Sequence, residues 1–280
     1  RDIDAQANER IERALDVLQD HALKAFQTVE RSISEINEVL RGLSDGQIRA
    51  SESDLFLRFK RTQQALPQIE SIWAFDRDGH PLVSSTILPV PRDLDNSDRS
   101  YFTAQKDADH GTYIGEVIPA RVGSLRFFVV SGRRQGEQAG RFNGVIGVTV
   151  MPEHFSEFYR KLSRGHDAFA LARADGTFLA RFPETRHETL ATANELPGQI
   201  RQNPEAGLVT MVSQIDNTER RIGYRKVPGF DVFVAAGIET AALRSEFWTT
   251  TLTQFAIGLP AGLAITAGAF YALRRGERSA

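Results

Sequence analysis

Arg99 and the two aromatic residues just after it, Tyr101 and Phe102, are the side chains best suited to hold a small molecule. Helix-capping residues occupy positions 96–98, so the sequence predicts that Arg99 lies in the first turn of a helix. Backbone N–H groups without a partner in such a turn favour an anion. The arginine adds a two-pronged grip on a carboxylate. We therefore expect this segment to bind the carboxylate of a small organic acid.

The surroundings of Arg99 are locally basic. Between Arg99 and Arg141 the chain carries six Arg and one Lys against four acids, although the net charge of the whole chain is −2. This balance fits an anionic ligand, but a solvated basic surface would give it as well. In the alternative interpretation Arg99 pairs with Asp95, Asp98 or another acid and only fixes its helix.

The predicted strands that would face this helix supply further candidates for the walls of a pocket. These candidates are Tyr113, Gly115, Phe128 and Ser131. Successive side chains of a strand point to opposite faces, so the pattern leaves the face of each residue open.

Several functions are disfavoured by what the sequence lacks. There is no cysteine, which excludes disulfides, thiolate zinc sites and cysteine nucleophiles. The six histidines show no metal-ligand spacing, and no nucleophile elbow, phosphate-binding loop or dinucleotide motif is present. The slightly negative net charge argues against a nucleic-acid partner. We expect no cofactor, no metal and no catalytic residue in this chain.

A long amphipathic helix opens the chain. Apolar residues recur every three or four positions from Ile11 to Leu43 without a proline, which predicts a helix roughly 60 Å long. The apolar stripe of this helix must be covered by the domains after it, by a second copy, or by both. A second helix is expected over about 52–66.

Two blocks of strands come next in the chain, and the second repeats the first. Each starts with a hairpin around an Asp-Gly pair, at Asp78-Gly79 and Asp175-Gly176. Each ends in an apolar strand that runs into a helix containing Ser-Glu-Phe. Further strands are expected at 112–118, 125–133, 142–150, 207–214, 219–226 and 231–237, and a helix at 152–162. The pattern indicates a weak internal duplication and an α+β fold with antiparallel sheets and flanking helices.

The stretch Phe247–Leu273 contains no charged residue. Its 27 residues exceed the roughly 20 that span a bilayer as a helix, and Trp248 and Tyr271 are typical interfacial flanks. The arginines at 274, 275 and 278 indicate the cytoplasmic side. We therefore expect a C-terminal transmembrane helix, with residues 1–246 outside the cytoplasm. We also expect an earlier membrane segment before Arg1 and an output domain beyond Ala280.

Taken in order, these segments resemble the double Cache ectodomain, also called the PDC or tandem PAS-like sensor fold. The motif DLDNSDRSYF at 93–102 followed by GTYIGEV at 111–117 is similar to the family's membrane-distal module. The segment YRKVPGFDVFVAAGI at 224–238 is similar to its proximal module. The resemblance covers roughly residues 2–248.

The resemblance implies a sensor domain of a histidine kinase, a diguanylate cyclase or a chemoreceptor, with a small anionic or zwitterionic ligand in the distal module. The Arg-x-Tyr-Phe pattern at Arg99 resembles sensors of four-carbon dicarboxylates and similar carboxylates. Amino-acid-binding members carry a tyrosine five residues before the arginine and a tryptophan two residues after it. Here those positions hold Leu94 and Tyr101, which puts an amino-acid ligand in doubt.

We expect, most of all, a histidine kinase sensor domain that binds a small organic acid, is integral to the bacterial inner membrane, and forms a homodimer. The alternatives are an ectodomain without a small-molecule ligand, which dimerises or senses a partner, and an extracytoplasmic enzyme. The expected division is 1–66 for the two first helices, 67–162 for the distal PAS-like module, 163–246 for the proximal module, 247–273 for the transmembrane helix, and 274–280 for the start of the cytoplasmic segment.

Overall fold

The computed structural model describes residues 2–121, 125–136, 141–184, 195–213, 217–242 and 245. In these ranges it shows the expected α+β arrangement of a long N-terminal helix and two antiparallel sheets. No helix within the described ranges is both long and apolar enough to cross a membrane. The predicted span at 247–273 and the segment 274–280 lie outside the described residues.

The N-terminal helix, α1, runs over Asp2–Leu40. Its apolar stripe is almost completely buried, and the buried members are Ala7, Ile11, Leu15, Leu18, Ala22, Ala25, Phe26, Val29, Ile33, Ile36 and Leu40. Strands of both sheets pack against this helix. The stripe is therefore covered by the two sheets of the same chain, and it needs no second copy to leave water.

Two shorter helices lead from α1 into the first sheet. Helix α2 covers Asp45–Ala50 and begins with a capping box, in which Ser44 and Gln47 satisfy each other's backbone N–H groups. Helix α3 covers Glu52–Gln64 and ends close to the predicted position. The break predicted after α1 thus contains one additional turn of helix, for which the Ser-x-x-Gln capping signal was present in the sequence.

The first sheet has the strand order β2-β1-β6-β5-β3, with β4 also paired to β5. Its strands are β1 (Ile69–Phe75), β2 (Pro81–Ser84), β3 (Tyr113–Ile114), β4 (Ile118–Pro119), β5 (Arg126–Arg133) and β6 (Val145–Val150). Helix α4 (Ser100–Asp107) lies between β2 and β3 in the chain, and helix α5 (Glu153–Leu162) follows β6.

The second sheet has the order β8-β7-β11-β10-β9. Its strands are β7 (Asp167–Arg173), β8 (Phe178–Phe182), β9 (Ala206–Val212), β10 (Glu219–Lys226) and β11 (Val232–Glu239), and helix α6 (Glu195–Gln202) precedes β9. In each sheet the first hairpin lies at one edge, and the last strand pairs with the first strand of that hairpin. This shared topology is what an internal duplication produces.

The two Asp-Gly turns are formed as predicted. Gly79 and Gly176 have φ angles of +92° and +90°, which a residue with a side chain rarely adopts. A Cβ at Gly79 would also lie 2.6 Å from the backbone nitrogen of Ser97. Gly79 therefore lets the first hairpin approach the segment that leads into α4.

Three elements differ from the sequence-based expectation. The strand expected over 112–118 is split into β3 and β4, and Glu116 between them accepts a hydrogen bond from Ser100 at the start of α4. The strand expected from Phe142 begins only at Val145, since Gly144 has a φ of +120° and bends the chain. Helix α6 was not predicted, because its sequence contains Pro and Gly near its start, where Pro is tolerated.

Candidate ligand-binding site

A cavity of about 360 Å³ lies on the face of the first sheet that points away from α1. Its floor consists of side chains from three adjacent strands: Ser71, Trp73 and Phe75 on β1, Phe127 and Val129 on β5, and Gly147 and Thr149 on β6. The neighbouring residues on these strands, such as Ile72 and Phe128, point into the core beneath α1. Strand alternation thus gives the sheet one face for the core and one for the cavity.

The segment 86–99, which we call the strap, forms another wall of the cavity through Ile87, Leu94, Asn96 and Arg99, among others. The strap is attached to α3 by Glu52, which is 7% exposed. The Glu52 carboxylate accepts the backbone N–H of Val90 at 2.7 Å and forms an ion pair with Arg92.

Arg99 lines this cavity and is the N-cap residue of α4. Its carbonyl accepts the N–H groups of Phe102 and Thr103 at 2.9 Å each. The prediction of a first-turn position was wrong by one residue. The reason is that the capping residues before it form their own turn, in which Asp95 accepts the N–H of Ser97 at 2.8 Å.

The guanidinium of Arg99 donates to the carbonyl of Pro119 at 3.4 Å. Asp98, one of the acids that could have paired with Arg99, forms an ion pair with Arg121 instead. Among the described residues no carboxylate forms an ion pair with Arg99. The alternative in which acids of the protein satisfy this arginine is therefore not supported by the structure.

Tyr101, two residues further on, also lines the cavity and is 5% exposed. Its ring lies 6.1 Å from that of Phe75, and its backbone carbonyl accepts the Ser131 hydroxyl at 3.0 Å. Burial raises the pKa of the Tyr101 hydroxyl above its ordinary value, against the opposing effect of the nearby Arg99 and Arg121 charges. The hydroxyl is therefore neutral and can donate a hydrogen bond.

The polar side chains of Asn96, Ser71 and Thr149 also line the cavity. The Nδ2 atom of Asn96 is buried and has no hydrogen-bond partner in the described part of the chain. By contrast, the hydroxyls of Ser71 and Thr149 bond each other at 2.9 Å, and Ser71 also accepts the indole N–H of Trp73 at 2.9 Å. Asn96 Nδ2 is thus an unsatisfied donor in the wall of the cavity, with almost no surface open to the cavity itself.

The structure places the other five predicted site residues outside this cavity. Phe128 packs in the core against Phe26 and Phe155, on the opposite face of β5 from Phe127 and Val129. Ser131 faces the same side as those two residues but is fully buried under α4.

The remaining three lie in or beside α4 rather than at the cavity. Phe102 is fully buried with its ring 5.6 Å from that of Phe142. Tyr113 lies under the guanidinium of Arg173, at 5.5 Å from the ring centroid. A Cβ at Gly115 would meet the carbonyl oxygen of Val129 at 3.3 Å. These residues hold the helix that presents Arg99 and Tyr101.

Sequence reasoning missed the aromatic floor and Asn96. In β1, Ser71, Trp73 and Phe75 alternate with the apolar core residues. This pattern indicated that both faces of the strand are covered, one by the core and one by other side chains or a ligand. For Asn96 the sequence offered only a capping role, because its orientation toward the cavity depends on how the strap folds back over the sheet.

Comparison with known proteins places this architecture among sensor domains. No protein-family model matches the chain, and no curated protein matches it. The extracellular domain of rpHK1S-Z16, a protein assigned to the histidine kinases, superposes with a TM-score of 0.74 at 27% identity, covering 86% of this chain and 98% of that domain.

Two chemoreceptor ligand-binding domains share the fold at lower identity. That of Pseudomonas fluorescens CtaA, in complex with L-leucine, gives a TM-score of 0.62 at 15% identity and covers 86% of this chain and 97% of its own. That of Campylobacter jejuni Tlp3, in complex with 4-methylisoleucine, gives 0.63 at 13% identity, with coverages of 87% and 94%. The neighbours fit a double Cache sensor domain, so the resemblance drawn from the sequence is confirmed.

Proposed function

We propose that the chain is the extracytoplasmic sensing part of a membrane receptor, and that its cavity in the first sheet binds a small organic acid through Arg99. One observation supports this most strongly. Arg99 contributes a permanent positive charge to a largely apolar cavity, and no acid in the described residues is paired with it. A carboxylate that enters the cavity would supply the missing partner.

The two adjacent donors support the same proposal. Asn96 Nδ2 is buried without a partner among the described residues, and the Tyr101 hydroxyl is kept neutral by burial. We expect the Tyr101 hydroxyl to donate to an oxygen of the carboxylate that Arg99 holds, and the Asn96 amide to do so after a rotation that brings Nδ2 to the cavity surface. A buried donor without an acceptor costs free energy, and a bound anion would recover that cost.

The proposed membrane arrangement rests on the sequence. The uncharged stretch 247–273 and the arginines after it would place residues 1–246 in the periplasm and the chain in the bacterial inner membrane. The unit at 67–162 would then be membrane-distal and the unit at 163–246 membrane-proximal. A histidine kinase is the proposed receptor class, and a diguanylate cyclase or a chemoreceptor is the alternative. In the intact receptor we propose a homodimer.

A second candidate is an amino-acid ligand. The domains of CtaA and Tlp3 were solved in complex with amino acids such as L-leucine and 4-methylisoleucine. An amino acid carries a carboxylate that Arg99 could also hold, so this candidate shares the proposed anchor. It differs in requiring a partner for the ammonium group.

The test is calorimetric titration of the 280-residue chain, in a mild detergent because of its uncharged stretch. The probes are hexanoate, 3-phenylpropanoate, succinate and L-leucine. Arg99→Ala should weaken the tightest of these roughly 10- to 100-fold, because a charge-assisted hydrogen bond contributes about 1.5–3 kcal/mol. Arg99→Lys should restore binding only in part, since it keeps the charge but loses the planar fork.

Arg31→Ala is the matched control, because Arg31 is exposed on α1 and far from the cavity in the fold. It should bind each probe as the wild type does. Melting curves run in parallel show whether each variant is folded. Unchanged affinity in a folded Arg99→Ala protein would remove Arg99 from the site, and a purely structural role would instead lower stability with and without the probe.

A further inference from the structure

We infer that the preferred ligand of the cavity is a monocarboxylate with an aromatic or branched apolar body and without an ammonium group. This inference rests on the proposed function, because it assumes that the acid is held by Arg99. It concerns the part of the ligand beyond the carboxylate, which would lie against the apolar walls of the cavity and not against Arg99.

Apolar side chains form most of the surface that the body of the ligand would meet. The floor is aromatic, with Trp73, Phe75 and Phe127, and Val129 and Met151 extend it. A ligand body that fills this space gains roughly 25 cal/mol for each Å² of apolar surface removed from water. A second carboxylate on that body would lose its water of hydration against these rings without a positive partner, which is costly.

The positive charges of the site also favour one carboxylate over two. Arg99 and Arg121 both line the cavity, but Arg121 is already paired with Asp98. Arg121 thus already has an acidic partner before a ligand arrives. One unpaired guanidinium fits one carboxylate.

An ammonium group would find no buried carboxylate among the described residues that line the cavity. Of the described residues that line the cavity, Glu70 alone carries a carboxylate, and it is exposed to solvent. The hydroxyls of Ser71 and Thr149 already bond each other. Arg99 suits the oxygens of a carboxylate and repels a cation, and the Tyr101 hydroxyl, which can donate or accept, offers no negative charge to balance one.

Matched ligand pairs test this inference directly on the wild-type 280-residue chain in detergent. The compounds 3-phenylpropanoate and L-phenylalanine differ only in the α-ammonium group, as do 4-methylpentanoate and L-leucine. Hexanoate and hexanedioate differ only at the far end of the chain. In calorimetric titrations we expect the first member of each pair to bind at least roughly 10-fold more tightly, because the second must bury an unpaired charge.

The outcomes distinguish failure of the inference from failure of the proposed function. If L-phenylalanine and L-leucine bind as tightly as their ammonium-free partners, or if hexanedioate binds more tightly than hexanoate, the inference is overturned. The proposed function still stands in that case, provided that Arg99→Ala weakens the binding of these compounds. If none of the six compounds binds but succinate does, only the inference is overturned. If succinate does not bind either, both are overturned. Thr149→Asp places a carboxylate on the floor of the cavity. A gain of affinity for L-phenylalanine in this variant would support the view that the wild-type cavity disfavours an ammonium group because it lacks such a carboxylate.

Discussion

Glu116 in the first sheet unit and Arg173 in the second form an ion pair, with Arg173 Nη1 at 3.2 Å from Glu116 Oε2. The same carboxylate oxygen accepts the hydroxyl of Ser100 at 2.7 Å. Ser100 is the first residue of α4 and directly follows Arg99. The start of the helix that presents Arg99 is therefore connected, through one carboxylate, to strand β7 of the other sheet.

A double-mutant cycle measures this connection. We expect Glu116→Gln and Arg173→Gln to destabilise the chain less together than the sum of their separate effects, with a coupling of about 0.5–1 kcal/mol. The side chains are 37% and 19% exposed, so solvent screens the pair only in part. Urea unfolding of the four proteins gives the coupling. Strictly additive effects would show that the contact does not link the two units.

Glu52 is predicted to hold the strap over the cavity. Glu52→Ala should lower the free energy of unfolding by about 1–3 kcal/mol, because the buried N–H of Val90 loses its acceptor. Glu52→Gln should cost less, since the amide oxygen can still accept that N–H. Asp54→Ala, at an exposed position of the same helix, is the control and should be nearly neutral. Equal stability of Glu52→Ala and Asp54→Ala would contradict the prediction.

His21 is predicted to make the stability of the chain pH-dependent. Its ring stacks on Phe158 with centroids 3.9 Å apart, and it lies 5.4 Å from the ring of His154. Burial, assisted by His154 and opposed by Asp20, lowers the pKa of His21 from its ordinary value of 6.5 to about 4.

Between these two pKa values the unfolded chain binds a proton at His21 that the folded chain does not, so stability falls as the pH is lowered from about 6.5 to about 4. In His21→Gln the loss of stability between about pH 7 and about pH 4.5 should be smaller than in the wild type. Denaturant midpoints at the two pH values measure it, with the exposed His110→Gln as control. An identical loss in His21→Gln would count against the assignment.

The membrane topology is predicted from the sequence and can be tested with fusions. A reporter that functions only in the cytoplasm should be active when fused after Arg278. A reporter that functions only outside the cytoplasm should be active when inserted at Gly136. The physical reason is the arginine cluster after the uncharged stretch, which is retained on the cytoplasmic side. The reverse pattern of activities would refute the topology and the receptor interpretation with it.

Much of the architecture was determined by the sequence alone. The three-and-four spacing of apolar residues fixed α1 and its buried face, because only a helix brings those positions onto one side. The two Asp-Gly pairs fixed the hairpins, because their glycines adopt positive φ angles that other residues avoid. The capping residues before α4 located the helix start to within one residue. They therefore indicated that Arg99 and Tyr101 lie at the beginning of a helix.

Which residues form the cavity could not be predicted from the sequence. In β5, Phe127 and Val129 face the cavity while Phe128 faces the core, and nothing within the strand distinguishes the two faces, because both are lined by apolar residues. Asn96 lines the cavity together with residues of β1, β5 and β6, and Glu116 pairs with Arg173 of the second sheet. Both arrangements join segments that are distant in the chain. Such contacts depend on how separate elements pack in three dimensions, which the local periodicity of a sequence does not encode.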